Sequence, residues 1–120
     1  MFIGQDITRV DALDKVLGTA AFAHDLKKNN MLFACVVRSS RPHALIRKID
    51  VSAARALEGV VTILSHEDIP GENLFGAIKK DQPFLAAGRV RYKGEAILVV
   101  VAATEETAQR ASDLVRIEYE

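Results

Sequence analysis

Three histidines, one cysteine and sixteen carboxylates are the side chains of this 120-residue sequence best suited to carry chemistry. A zinc-binding pair on a helix needs His at i and i+4, and His24, His43 and His66 lie much farther apart, with no H-E-x-x-H run and no second Cys. Cys35 sits inside the apolar run Met31–Val37, without a neighbouring His or helix N-terminus to lower its pKa, and a buried structural thiol is expected. His43 occupies a Pro-His-Ala loop that leads into a strand. As a base it would need an orienting carboxylate or carbonyl and a nucleophile, and none stands near it in sequence, so a loop His bonded to backbone is expected.

Asp11 and Asp14 have helical spacing and read as a solvated face. Gly71 and Gly76 keep the glycine spacing of a phosphate loop, but the Lys-Ser/Thr that must follow is absent, as is G-x-G-x-x-G. Arg89, Arg91 and Lys93 alternate with Val90 and Tyr92, so they project from one face of a strand. A basic strand face can meet phosphate. With sixteen Lys+Arg balanced by sixteen Asp+Glu and 6% aromatic residues, a salt-bridged or docking face fits better. No catalytic, cofactor-binding or metal-ligating residue is assigned.

The elements that would position these groups follow from pattern. A short strand is expected around Phe22, then a turn at Lys27–Asn30. Met31–Val37 reads as a strand covered on both faces, a buried helix segment being the alternative. After a Ser39–His43 loop come a strand over Leu45–Val51, a helix over Ser52–Glu58 with Ser52 as N-cap and Gly59 past its end, and a strand over Val60–Leu64. Ser65 and Asp68 have capping-box spacing, and Pro70 ends that helix after about one turn. Gly71–Ala87 shows no period. Arg89–Lys93 alternates as a strand, Ala96–Ala102 is an apolar strand, Thr104 caps a helix with Glu105 and Glu106 in its first turn, and Leu114–Tyr119 closes the chain as a strand.

The C-terminal strand–helix–strand unit has a crossover long enough for parallel pairing. The unit from Leu45 to Leu64 sits at the lower length limit, so its strands are parallel or antiparallel. A single α+β domain over residues 1–120, with a mixed β-sheet and short helices packed on it, fits both. Zero net charge speaks against nucleic acid and anionic membrane as partners. The longest apolar run, Ala96–Ala103, is far short of the roughly 20 residues that cross a bilayer. The opening Met1–Asp6 lacks the basic and apolar regions of a secretory signal, and a lone Cys suits a reducing compartment, so a cytoplasmic location is expected.

Taken in order, several short runs resemble one family. They are Lys15-Val16-x-Gly18-x-Ala20-x-Phe22-x-x-Asp25, then Ser39-x-x-Pro42-His43-Ala44-x-Ile46-x-x-Ile49-Asp50, Gly59-Val60 and Asp68-Ile69-Pro70-Gly71-x-Asn73. Val90-x-Tyr92-x-Gly94-Glu95, the strand Val99–Ala102 and Ile117-x-Tyr119-Glu120 complete the series. Together they resemble the N-terminal a/b hammerhead domain of the molybdenum hydroxylase large subunit, the xanthine dehydrogenase and aldehyde oxidase family. Phe22 replaces the family's usual Tyr, and Ala96 follows Gly94-Glu95 where Pro is frequent.

The resemblance implies an α+β hammerhead fold, excised or truncated from the N-terminal part of a larger molybdopterin-binding subunit. It implies a parent enzyme that hydroxylates aldehydes or N-heterocycles, with this stretch inactive alone. Molybdopterin would be held by the domains that follow, and iron–sulfur and FAD centres by partner domains or subunits. The alternative is a free-standing α+β ligand-binding or dimerisation module.

Overall fold

The computed structural model describes residues 3–120, so the first two residues of the Met1–Asp6 opening lie outside it. The chain runs through helix α1 (Ala12–Leu17), strands β1 (Phe33–Arg38) and β2 (Ala44–Asp50), helix α2 (Ser52–Arg55) and strand β3 (Val60–Leu64). Three two-residue strands follow, β4 (Leu74–Phe75), β5 (Gln82–Pro83) and β6 (Arg89–Val90), and then strand β7 (Ala96–Ala102), helix α3 (Glu105–Asp113) and strand β8 (Arg116–Tyr119). Single 3-10 turns occupy Ala23–Asp25 and His66–Asp68.

An uninterrupted apolar strand can be buried on both faces, and β7 becomes the centre of the first sheet. It pairs antiparallel with β1 on one side and β3 on the other, and Ile97, Val100 and Ala102 are fully buried. A second sheet has the order β6-β2-β8, and β4 pairs with β5 in a small hairpin. Every ladder among the described residues is antiparallel. The parallel pairing expected of the C-terminal unit does not form. Both edges of β7 are taken by β1 and β3, so β8 crosses to the second sheet and pairs with β2, setting Ile117 opposite Ile49 and Tyr119 opposite Ile46. In the same way β2 and β3, joined by α2, belong to different sheets.

Small residues let the helices approach closely. Ala54 of α2 and Ala108 and Ala111 of α3 are all buried at the common core. Thr104 caps α3 as expected, its Oγ1 accepting from the Thr107 amide at 3.1 Å. Helix α2 is shorter than expected and Ser52 is its first residue, not its cap: Asp50 Oδ1 accepts from the Ser52 amide at 3.0 Å. The Ser65–Asp68 box forms, with Asp68 Oδ2 accepting from the Ser65 amide at 2.7 Å and Ser65 Oγ from the Glu67 amide at 3.2 Å.

Two expected strands are diverted by carboxylates. Phe22 donates its amide to Asp25 Oδ2 at 3.0 Å, which closes a 3-10 turn where a short strand was expected. The strand expected over Arg89–Lys93 stops at Val90, because the Arg91 amide donates to Glu95 Oε2 and not to a ladder. The Lys27–Asn30 turn is present, with Asn30 at φ +62° in the left-handed region that Asn tolerates.

The first thirty described residues behave differently from the rest. None of residues 3–32 is buried, and the radius of gyration is 20.2 Å with extents of 63 × 39 × 26 Å. A compact chain of this length would have a radius near about 14 Å. The N-terminal segment is an arm lying outside the core.

Candidate docking surface

Three of the runs that carry the family resemblance, Ser39–Asp50, Val90–Glu95 and Ile117–Glu120, meet in space, while Lys15–Asp25 lies on the arm. Ser39, 4% exposed, accepts from the Arg41 amide through Oγ at 3.0 Å, while its own amide donates to Glu95 O at 2.9 Å. The Gly94 amide returns a bond to Ser39 O at 2.8 Å, and Arg38 donates to Gly94 O at 3.0 Å. The Pro-His loop is thereby clipped to the Tyr-x-Gly-Glu turn. Glu95 is 2% exposed and takes both the Arg91 amide and the Arg91 guanidinium, the latter at 3.3 Å. Asn73 performs a third clamp: Nδ2 donates to Leu85 O at 2.7 Å and Oδ1 accepts from Leu85 N at 3.1 Å. Asn73 thus fills both backbone groups of Leu85 as a neighbouring strand would.

Helix α3 covers one face of the first sheet and leaves the other open. On the open face Val36, Val99 and Leu64 stand directly opposite one another across β1, β7 and β3. They floor a groove of about 510 Å³, walled by Ile69, Pro70, Phe84 and Leu85 and rimmed by Arg38 and Asp68. Beside it the β4–β5 hairpin presents Phe75 stacked on Phe84, ring centroids 4.7 Å apart, both rings half-exposed. This aliphatic and aromatic lining suits apolar protein surface and lacks the array of polar donors that a phosphorylated pterin requires.

The titratable groups are dispersed. His24 and His43 are exposed, the former 3.3 Å from Asp25, and His66 is half-buried in the turn that Ser65 caps. Among the described residues no three His, Cys, Asp or Glu side chains converge as a metal site. Cys35 is half-buried rather than buried, its Sγ 3.3 Å from Ser112 Oγ and 3.4 Å from Gln109 Oε1, because it faces the polar flank of α3. Asp11 is solvated as expected, held below the usual carboxylate range by Lys15 and then Arg9. Hydrogen bonds from the Ser52 hydroxyl and amide lower Asp50, and those from the Ser65 amide and hydroxyl lower Asp68.

Gly71 and Gly76 serve the hairpin connection. A Cβ on Gly76 would fall 1.9 Å from Lys79 O, so the close backbone approach admits only glycine. Of the basic trio, Arg91 is spent on Glu95 while Arg89 and Lys93 are exposed. On the second sheet Arg47 pairs with Glu120, and β8 sets Glu118 opposite Lys48 and Arg116 opposite Asp50. That face is charge-balanced.

Clamped turns, two antiparallel three-stranded sheets and an open apolar groove define a small α+β domain. Residues 17–120 match the family described as "Aldehyde oxidase and xanthine dehydrogenase, a/b hammerhead domain", and the chain belongs to that family of molybdenum hydroxylases. It is 48% identical over 118 residues to the nicotinate dehydrogenase large molybdopterin subunit of Eubacterium barkeri, a match covering 98% of this chain and 28% of that protein. The xanthine dehydrogenase of Drosophila subobscura is 40% identical over 120 residues, covering 98% of this chain and 9% of that one. Among solved structures, the reconstituted CO dehydrogenase from Oligotropha carboxidovorans superposes with a TM-score of 0.91 at 33% identity, over 98% of this chain and 15% of that chain. Quinoline 2-oxidoreductase from Pseudomonas putida 86 superposes at 0.87 with 32% identity, over 100% of this chain and 16% of that chain. The chain thus spans only a minor part of the length of each of these relatives. No helix among the described residues is long and apolar enough to cross a membrane.

Proposed function

We propose that this chain is the non-catalytic, N-terminal structural and docking domain of a molybdopterin-dependent oxidoreductase. The parent enzyme hydroxylates aldehydes or N-heterocycles with water as the oxygen source. The observation that carries this reading is the use to which the family motifs are put. Ser39, Glu95, Asn73 and Asp68 each spend their polar atoms on backbone of this same chain, which leaves them holding loops in place. The residues so positioned form the open groove and the Phe75–Phe84 hairpin, which contact the molybdopterin-binding domains of the subunit.

Molybdopterin in those domains supplies the redox chemistry, with iron–sulfur and flavin centres in partner domains or subunits and the assembly in the cytoplasm. This chain's residues form the apolar cover against which that machinery is held. Metal analysis of the purified 120-residue chain, together with turnover assays on an aldehyde and a purine, tests the reading. The expected result is a folded chain without molybdenum and without turnover. Stoichiometric molybdenum or measurable oxidation would overturn it.

A further inference from the structure

The arm offers a second apolar surface, apart from the groove and outside the core. In α1, Leu13, Val16 and Leu17 follow i, i+3, i+4 spacing and so share a face, and they are 67%, 84% and 63% exposed. Beyond the helix, Val10, Phe22 and Leu26 are also exposed. Apolar residues at this density, free in water, would collapse onto the nearest apolar surface.

The area involved is large. The chain exposes 9336 Å². A compact protein of its 13.1 kDa exposes about 6,400 Å². The excess, on the order of 3,000 Å² of polar and apolar surface together, leaves room for an interface of the roughly 1,000–2,500 Å² per partner that obligate contacts bury.

One relative follows the same path within a much longer chain. The CO dehydrogenase chain superposes at a TM-score of 0.91 over 98% of this chain, which leaves no room for the arm to be omitted, and the match takes up only 15% of that protein. The arm therefore keeps its outstretched path where the rest of such a subunit is present. The hammerhead match begins at residue 17, while the nicotinate dehydrogenase match covers 98% of the chain, so the stretch shared with that large subunit extends over α1.

We propose that residues 3–32 are a strap that seats the Leu13–Val16–Leu17 face of α1 on the molybdopterin-binding part of the same subunit. This rests on the docking reading above. It adds that the arm, and not only the groove, holds the domain in place.

The test compares the complete enzyme, with its molybdopterin-binding polypeptide joined to Glu120 or co-expressed with it, and the 120-residue chain alone. Both are treated with trypsin under native conditions, and cleavage after Arg9, Lys15, Lys27 and Lys28 is timed by mass spectrometry. Cleavage is expected to be at least tenfold slower in the complete enzyme, and the variant Leu13→Asp/Val16→Asp/Leu17→Asp of that enzyme is expected to restore fast cleavage. Equal rates in the two preparations, or a variant as protected as wild type, would overturn the strap. Molybdenum content and turnover of the same enzyme separate the two claims. An enzyme that carries molybdenum and turns over while its arm is cut at the free-chain rate refutes the strap alone. A complete protein without molybdenum or turnover refutes the docking reading and the strap with it. A chain that dimerises alone with a protected arm makes a second copy the occupant, which also overturns the proposal.

Discussion

Replacing Asn73 by Ala removes the one side chain that satisfies both backbone groups of Leu85, at 2.7 and 3.1 Å. Leu85 is 7% exposed, so water reaches its freed amide and carbonyl poorly. Each such bond contributes about 0.5–1.5 kcal/mol net, and a buried backbone group left without a partner costs about 1–3 kcal/mol. Asn73 itself is half-buried, which admits some solvent to the gap and moves the total toward the lower end. The expected loss is about 2–3 kcal/mol. Leu85 is also a wall of the groove, so the variant loosens the groove as well as the fold.

Urea unfolding followed by far-ultraviolet circular dichroism measures the loss. With a slope of about 1–2 kcal/mol per molar, the midpoint should fall by about 1–3 M. Glu72→Ala serves as the control, because Glu72 makes only an exposed 3.4 Å pair with Lys80. Such pairs contribute at most about 1 kcal/mol. A loss below about 0.5 kcal/mol for Asn73→Ala at an unchanged slope would refute the reasoning, since those bonds would then be replaced by water without cost.

Ile97→Ala, at a fully buried position in the central strand, is expected to cost about 2–5 kcal/mol in the same experiment, through lost burial and the cavity left behind. Gly76→Ala forces a Cβ to within 1.9 Å of Lys79 O, so the hairpin must open; faster tryptic cleavage after Lys79 and Lys80 should result, with little change in the global midpoint. Asp11, Asp50 and Asp68 all titrate below their ordinary 3.8 in the folded chain. Their contribution is therefore present above the unfolded value and disappears as pH falls through the folded ones, so the urea midpoint should hold steady down to about pH 5 and drop below about pH 4. Asp50→Asn/Asp68→Asn should flatten that drop, and an undiminished drop would show that other carboxylates govern it.

The sequence was most legible where a segment's surroundings do not matter. Val60–Leu64 and Ala96–Ala102 have the ends expected of them, because a run of apolar, mostly β-branched residues between polar flanks forms a strand almost regardless of its partner. The capping geometry at Ser65 and Thr104 was equally local. Failures came where a single side chain outcompetes the ladder for an amide, as Asp25 does at Phe22 and Glu95 does at Arg91. Strand partners failed for another reason: β8 turns away from β7 because β1 and β3 already flank it, which depends on the whole topology. The groove floor was hidden in the same way, since Val36, Leu64 and Val99 become neighbours only through cross-strand register. One signal was available. The strands are apolar on both faces, whereas only α3 is long enough to cover one.

The composition of the core explains why the uncovered face and arm matter energetically. Six of the twelve buried apolar residues are alanines, and Ile97, Val90 and Val100 are the largest side chains that are fully buried. An alanine methyl contributes about as much as one methylene, roughly 0.8 kcal/mol, against about 1.5–3 kcal/mol for a Val, Leu or Ile. Enlarging those alanines is no remedy, because Ala54, Ala108 and Ala111 are what allow α2 and α3 to lie close to each other and to the sheet, and added methylenes there would strain the packing. The larger apolar side chains are instead spent outside the core, on the arm and around the hairpin. Under the proposed docking, their burial awaits a partner surface. The proposed docking would then stabilise the fold by mass action, because a partner that binds the folded chain and not the unfolded one shifts the equilibrium toward the former. On the proposed docking, the small core already specifies the shape of the lone chain, and burial of its exposed apolar surface adds further stability on assembly.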